Sequence, residues 1–182
     1  VVLGAYLTWL LFHAYGLDPF LSLPIDALAL FVVGYTLQRV LINRVIRAPV
    51  FFTLLLTFGL NLAIVNLVLA VFTSDFRSVT PGYAGAGLDL AGVRVPYARL
   101  AALAIALLLA GLVALFMSRT RTGEAIEAVG ADRDAAQLVG VDLRHVYALT
   151  FGIGAATAGV AGGLISVVQA ISPTAGDPFT LQ

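Results

Sequence analysis

The chain has 182 residues, 60% hydrophobic and 11% charged, with a mean hydropathy of +1.01; an ordinary soluble domain carries roughly 25% charged residues, so water is not its main solvent. The formal net charge is zero, which gives no electrostatic footprint for nucleic acid. There is no Cys, which excludes disulfides, thiolate metal sites and a cysteine nucleophile.

The first apolar run covers Val1 to about Tyr15. It has no initiator Met and no basic segment before the apolar run, so it is read as a truncated first helix rather than a signal peptide. Gly16-Leu17-Asp18-Pro19 breaks it, and a short loop is expected through Pro24. The second run, Ile25 to about Ile42, ends among Arg39, Asn43, Arg44, Arg47 and Pro49. The third, Val50 to Thr73, is long enough to cover roughly 35 Å as a helix, more than the ~30 Å of a bilayer core. Residues Ser74 to Ala98 form a Gly- and Pro-rich loop in which Leu88, Leu90, Val93 and Val95 flank Ala91-Gly92, the pattern of a small β-hairpin. A fourth run, Arg99 to Met117, leads into a polar stretch from Ser118 to His145. A fifth, Val146 to Ile171, is dense in Gly and Ala and is closed by Pro173. Ser172 to Gln182 is expected to lead into further chain.

These runs predict an all-α, polytopic transmembrane helical bundle with about five spans. Residues 1–182 form one partial transmembrane domain, with a loop at 118–145 on one side and a loop at 74–98 on the other. All ten basic residues are Arg. Arg39, Arg44, Arg47, Arg119, Arg121, Arg133 and Arg144 fall on one side, against Arg77, Arg94 and Arg99 on the other. Cytoplasmic loops carry the excess of basic residues, so the 118–145 loop is expected in the cytoplasm and the 74–98 loop outside.

The Ser118 to His145 loop reads as two short helices. Thr122 is placed to cap a first one through Glu124, Ala125, Glu127 and Val129, with Gly130 ending it. Asp132 is placed to cap a second, Arg133 to Val139, with Ala135, Ala136 and Leu138 as its apolar members and Gly140 as its stop. Asp142 then caps the fifth span. Helices this short are marginal alone and need a surface to pack on, either their own membrane domain or a cytoplasmic partner.

In the third span Thr53, Thr57 and Asn61 recur every fourth residue and form a polar stripe, which bonds within the bundle or lines a substrate path. Bonding within the structure is the favoured reading. Asn66, on another face, is read as interhelical glue. In the fifth span Gly152, Ala156, Gly159 and Gly163 form a seam of small residues where another backbone approaches closely. His13 and His145 sit at span ends and are read as wetted interfacial residues rather than metal ligands, and Trp9 as an interfacial anchor. No acidic or basic residue is placed mid-span. No paired carboxylates, Ser/His/Asp set or phosphate-binding glycine loop stands out, so neither catalytic residues nor a metal site are expected.

The stretch Arg119-Thr120-Arg121-Thr122-Gly123-Glu124-Ala125-Ile126-Glu127-Ala128-Val129, followed by Asp132-Arg133-Asp134-Ala135-Ala136-Gln137-Leu138-Val139-Gly140-Val141, resembles the cytoplasmic loop of branched-chain amino acid ABC-importer permeases. Val146-Tyr147-Ala148-Leu149-Thr150-Phe151 resembles the entry to the following span. The order of elements from Gly4-Ala5-Tyr6 to Pro173 and Gly176 extends the resemblance over essentially the whole chain. Glu124 and Glu127 depart from it, standing where many members carry basic residues, and Gly130-Ala131 is smaller than usual.

The resemblance implies a permease subunit of the bacterial or archaeal inner membrane. Its partners would be a second permease, two cytoplasmic ATPase subunits and an external substrate-binding protein, with ATP bound by the ATPase and no cofactor of its own. It casts Gly123, Glu124, Ala125, Glu127, Asp132, Ala135, Ala136, Leu138 and Gly140 as the element that couples to the ATPase. Branched-chain amino acids are the implied substrate. Permeases for urea or short amides, an ion-driven secondary transporter and a structural scaffold stand as alternatives.

Overall fold

The computed structural model of the chain describes residues 1–45, 50–72, 87–90 and 93–168. Helix α1 (Val2–Tyr15) ends where Gly16 adopts φ 64°, a left-handed conformation that costs glycine no Cβ clash, and the Gly16 N–H closes the last turn on Phe12 O at 3.0 Å. Asp18 then caps helix α2 (Pro19–Leu37), its carboxylate accepting from Phe20 N at 2.9 Å with Pro19 in the first helical position.

The expected loop through Pro24 therefore does not form. Asp18-Pro19, read as a breaker, is a start signal, and Pro24 lies inside the helix. An interior proline forfeits one backbone bond without ending a membrane helix whose neighbours hold it in place. Helix α2 continues through a π-helical turn (Gln38–Ile42) into a short helix α3 (Asn43–Val45). Asp26 consequently sits roughly 10 Å along a membrane-length helix, not at its mouth.

Helix α4 covers Val50–Phe72, and strands β1 (Gly87–Leu90) and β2 (Val93–Pro96) pair antiparallel with Leu88 opposite Val95 and Leu90 opposite Val93. This is the expected hairpin, although its turn and the rest of the 74–86 stretch lie outside the described residues. Helix α5 (Tyr97–Arg119), the two loop helices α6 (Arg121–Ala131) and α7 (Arg133–Leu138), and helix α8 (Leu143–Val168) follow. Apart from the hairpin, the described elements are helices, and the architecture is that of an all-α membrane bundle.

Pro19–Ile42, Tyr97–Arg119 and Leu143–Val168 are long and apolar enough to cross a membrane, and Val2–Tyr15 and Leu54–Ala70 are shorter apolar helices. The 14 residues of α1 cover only roughly 21 Å.

Helix α8 is the centre of the bundle, packed against α1 on one side and antiparallel to α2 on another. Leu23, Val160 and Leu164 form one buried cluster, closed from α5 by Ala102, Ile105 and Leu109. A second cluster joins Ala5 and Tyr6 of α1 to Val68 near the end of α4, with the Tyr6 and Phe72 rings 4.7 Å apart. Elsewhere α4 and α5 leave large apolar side chains exposed, among them Phe51, Leu54, Phe58, Leu103 and Leu107. In lipid, that outward apolar surface is the expected state of a spanning helix.

Candidate functional site

The loop between α5 and α8 is folded by its own caps. Thr120, not Thr122, caps α6, its Oγ1 accepting from Gly123 N at 3.0 Å. Helix α6 runs past Gly130 to Ala131, one residue beyond the expected stop. Gly123 is buried at the corner where α6 folds back on α5, and a Cβ there would collide with the Met117 backbone. Asp132 caps α7 through bonds from Asp134 N at 2.9 Å and Ala135 N at 3.0 Å. Gly140 ends that segment at φ 88°. Asp142 caps α8 through Arg144 N at 3.0 Å.

Packing then divides the loop residues into two groups. Ala136 is 3% exposed and joins Val129 and Val146 in a small core of the loop, with Ala125, Ile126 and Tyr147 around it. The Arg133 guanidinium lies 5.5 Å from the Tyr147 ring centroid, tying α7 to α8. Glu124, Glu127, Asp132 and Ala135 are exposed. Leu138 is 90% exposed and Val139 79%, side by side at the end of α7. A six-residue helix offers too few turns for sequence spacing to decide which alanine faces inward. The grouping of Ala135, Ala136 and Leu138 as one apolar face does not hold: Ala136 points into the loop, and Leu138 away from it.

The small residues of α8 meet α1 and α2 at three levels. Gly152 lies against Phe31, and a Cβ on Gly159 would stand 2.5 Å from Leu30 Cδ1. Gly4 of α1 touches the Gly159 backbone so closely that its own Cβ would collide with the Gly159 carbonyl. Gly162 makes a similar contact with the Val1 carbonyl, a close approach the i, i+3, i+4 spacing of the seam did not include. Ala156 is half-buried.

Gly163 opens the space for a polar cluster missed in the sequence. A Cβ at Gly163 would stand 2.7 Å from Thr8 Oγ1 and 3.2 Å from Asp26 Oδ2. Thr8 Oγ1 donates to Asp26 Oδ2 at 2.5 Å, and Ser22 Oγ lies 3.4 Å from the same oxygen. Thr8, Ser22 and Asp26 are all fully buried, and Asp26 Oδ1 has no hydrogen-bond partner among the described residues. An ionisable residue does lie inside a span, contrary to expectation. The Asp18-Pro19 start signal would have revealed it.

The described part of the α4 polar stripe lies on an outer surface. Thr57 is exposed and its Oγ1 donates to Leu54 O of its own helix at 3.0 Å; Asn61 is exposed; the Thr53 side chain lies outside the described residues. Asn66 donates to Leu62 O at 2.8 Å, so it satisfies its own helix instead of bridging to another. Among the described residues, no group of three or more His, Asp or Glu is placed to hold a metal.

Comparison with known proteins matches residues 1–182 to the family model described as the permease component of the branched-chain amino acid transport system. One similar protein is the "Probable branched-chain amino acid transport permease protein LivH" of Methanocaldococcus jannaschii, 30% identical over 191 residues, which cover 97% of this chain and 57% of the relative. Another is the "High-affinity branched-chain amino acid transport system permease protein BraD" of Pseudomonas aeruginosa, 27% identical over 181 residues, covering 91% of this chain and 58% of the relative. The chain thus spans under two thirds of the length of these relatives. No solved structure gives a significant match.

Proposed function

The chain belongs to the family of branched-chain amino acid transport permease components, and from that membership we propose that it forms part of the channel-bearing subunit of an ATP-driven importer. Its family and its apolar helices make it a multi-pass integral membrane protein of a transport system, not an enzyme. The proposal adds the energy source, the cargo and the membrane: ATP hydrolysed on two partner subunits, leucine, isoleucine and valine as cargo, and the cytoplasmic membrane of a bacterium or archaeon. A second permease and an external substrate-binding protein complete the assembly.

The observation that carries it is the exposed pair Leu138 and Val139 at the end of a loop whose other large apolar residues, Ile126, Val129, Val141 and Leu143, are buried or half-buried in a core of their own. Water gives no reason to hold two large apolar side chains outward on a capped, self-packed element. An apolar groove on a cytoplasmic ATPase gives one. Gly123 and Ala136 then serve the loop's rigidity, and the caps at Asp132 and Gly140 fix the direction in which Leu138 projects. Glu124, Ala125, Glu127 and Ala135 form the flank of the docking face.

If Thr57 and Asn61 line the substrate path, the facing wall is supplied by other segments of the full-length protein or by the second permease, since both side chains face outward from this bundle. The glycine seam at Gly152, Ala156, Gly159 and Gly163 holds α8 as the rigid partner of α1 and α2.

Asp26 favours a second reading, in which an ion gradient drives transport, because ion-coupled carriers place ionisable side chains inside the membrane. The two are separated by reconstituting the full-length permease with its ATPase subunits and binding protein in proteoliposomes and following labelled leucine uptake. ATP-driven import requires ATP on the ATPase side and persists when ionophores collapse the proton and sodium gradients. Uptake that ignores ATP and fails with the ionophores establishes the second reading instead. Urea or a short amide outcompeting leucine would replace the cargo assignment alone.

A further inference from the structure

The ends of α2 and α8 that meet near the 118–145 loop border an open polar cavity of about 540 Å³ lined by Arg39, Asn43, Arg44, Asp142, Arg144 and His145. Its walls are fixed by bonds between segments about a hundred residues apart. Asn43 Nδ2 donates to Arg144 O at 3.1 Å, and the Asn43 amide is itself oriented by Gln38 Nε2 at 3.3 Å. Arg39 Nη1 donates to Tyr35 Oη at 2.8 Å, and that hydroxyl lies 3.4 Å from His145 Nδ1. The π-helical turn Gln38–Ile42 brings Arg39 and Asn43 to the same opening.

The charge of this cavity is unbalanced. It holds three guanidinium groups and one carboxylate. The Asp142 carboxylate is engaged by the backbone amides at the start of α8, at 3.0 Å from Arg144 N and 3.5 Å from His145 N. Among the described residues, no ion pair joins any of the three arginines to a carboxylate. Planar guanidinium groups left open in a concave site select an oxyanion that accepts two parallel bonds, a carboxylate or a phosphate, and three of them around one cavity suit the several oxygens of a phosphate.

A second groove of about 720 Å³ lies deeper along the spans, lined mainly by apolar side chains such as Phe31, Leu112, Phe116, Leu149 and Ile153, and also by Arg119, Thr120 and Thr122. Phe31 and Leu149 each lie four residues, about one helical turn, deeper than Tyr35 and His145. The Phe31 and Tyr35 rings stack at 6.1 Å between centroids, so a groove wall and the residue that holds Arg39 form one continuous surface. A polar anion site at the end of a span, with a largely apolar groove one helical turn deeper, matches the polarity of a phospholipid.

We propose that the Arg39, Arg44 and Arg144 cavity binds the phosphate headgroup of an anionic glycerophospholipid, with an acyl chain lying along the Phe31–Leu149 groove. The bound lipid braces the junction of α2 with α8 beside the 118–145 loop. Binding energy comes from the guanidinium–phosphate contacts and from acyl burial, and the second term distinguishes the lipid from free phosphate.

The test uses the full-length permease, purified in mild detergent and analysed by native mass spectrometry with added phosphatidylglycerol or phosphatidylcholine. Phosphatidylglycerol is expected to be retained in preference to phosphatidylcholine. Arg44→Gln/Arg144→Gln lowers its affinity by at least about tenfold, while the charge-matched control Arg121→Gln/Arg133→Gln, outside the cavity, leaves it unchanged. Inorganic phosphate at millimolar concentration fails to displace the lipid. Equal losses in both double variants would mean bulk charge attraction and overturn the site. No loss in either, or full displacement by inorganic phosphate, would also overturn it, the last in favour of a soluble phosphate ligand. Elution of each variant at the wild-type volume on size exclusion confirms that its binding result reports on a folded protein.

Discussion

Thr8 and Asp26, one on α1 and the other on α2, are joined by a hydrogen bond of 2.5 Å that passes directly beside Gly163 of α8. Three helices therefore share a single buried polar contact, and the glycine is the reason the third can approach. Because membrane helices gain little from apolar burial against one another, such contacts and close backbone packing carry their association.

Thr8→Val removes the shorter of the two hydroxyl contacts to Asp26 Oδ2 while nearly keeping volume. Interhelical hydrogen bonds in membranes contribute roughly 0.6 kcal/mol on average and up to about 2, so the variant is expected to unfold slightly earlier in detergent. Asp26→Leu is expected to be worse, since it leaves the Thr8 hydroxyl facing a branched apolar group in a site with no spare room. Thermal unfolding of the full-length protein reads both. Wild-type stability of Asp26→Leu would show that the contact holds nothing together.

Gly4 and Gly159 differ in what an added methyl would strike. At Gly159 it meets the flexible end of Leu30; at Gly4 it meets the Gly159 backbone. Overpacking costs roughly 1–3 kcal/mol when side chains cannot move away. Gly4→Ala is therefore expected to reduce assembled protein more than Gly159→Ala, and Gly159→Leu more than either alanine. Membrane yield after size exclusion gives the order. A milder effect at Gly4 than at Gly159 would contradict the seam as described.

The described part of the Arg39–Pro49 turn and the start of α8 meet at one end of the bundle, so these two Arg-bearing segments share a side, and the Arg counts predict that this side is the cytoplasm. The chain contains no Cys, so introduced thiols report cleanly within it. In intact cells, Tyr97→Cys is expected to react with a membrane-impermeant thiol reagent, and Gln137→Cys only after the membrane is opened. The opposite pattern would invert the topology.

Much of this was legible in the sequence wherever one residue type performs one backbone task. Asp132 and Asp142 cap, and Gly140 takes a positive φ, because few other residues can. The small-residue spacing in α8 gave the seam for the same reason. Asp26 escaped because Asp18-Pro19 fits a loop and a helix start equally well, and only the length of α2 decides between them. The inward turn of Ala136 and the outward turn of Leu138 depend on α7 resting on Val129 and Val146, a tertiary contact with no local signature. Asn66 was misread because an amide in a membrane helix satisfies its own backbone as readily as a neighbour's.

The ATP-coupled reading rests on Leu138 and Val139, and their replacement tests it most directly. Ala136→Glu is a poor probe, since burying a charge in the loop's own core would unfold the loop and lose coupling for an uninformative reason. Leu138→Asp/Val139→Asp places two charges on fully solvated positions and leaves the Val129, Ala136 and Val146 core intact. The measurement is the amount of ATPase subunit that copurifies with full-length permease, at matched membrane expression. The account predicts wild-type expression with the ATPase largely lost from the double variant and retained by Glu124→Gln. Full copurification and normal ATP-driven uptake by the double variant would contradict it.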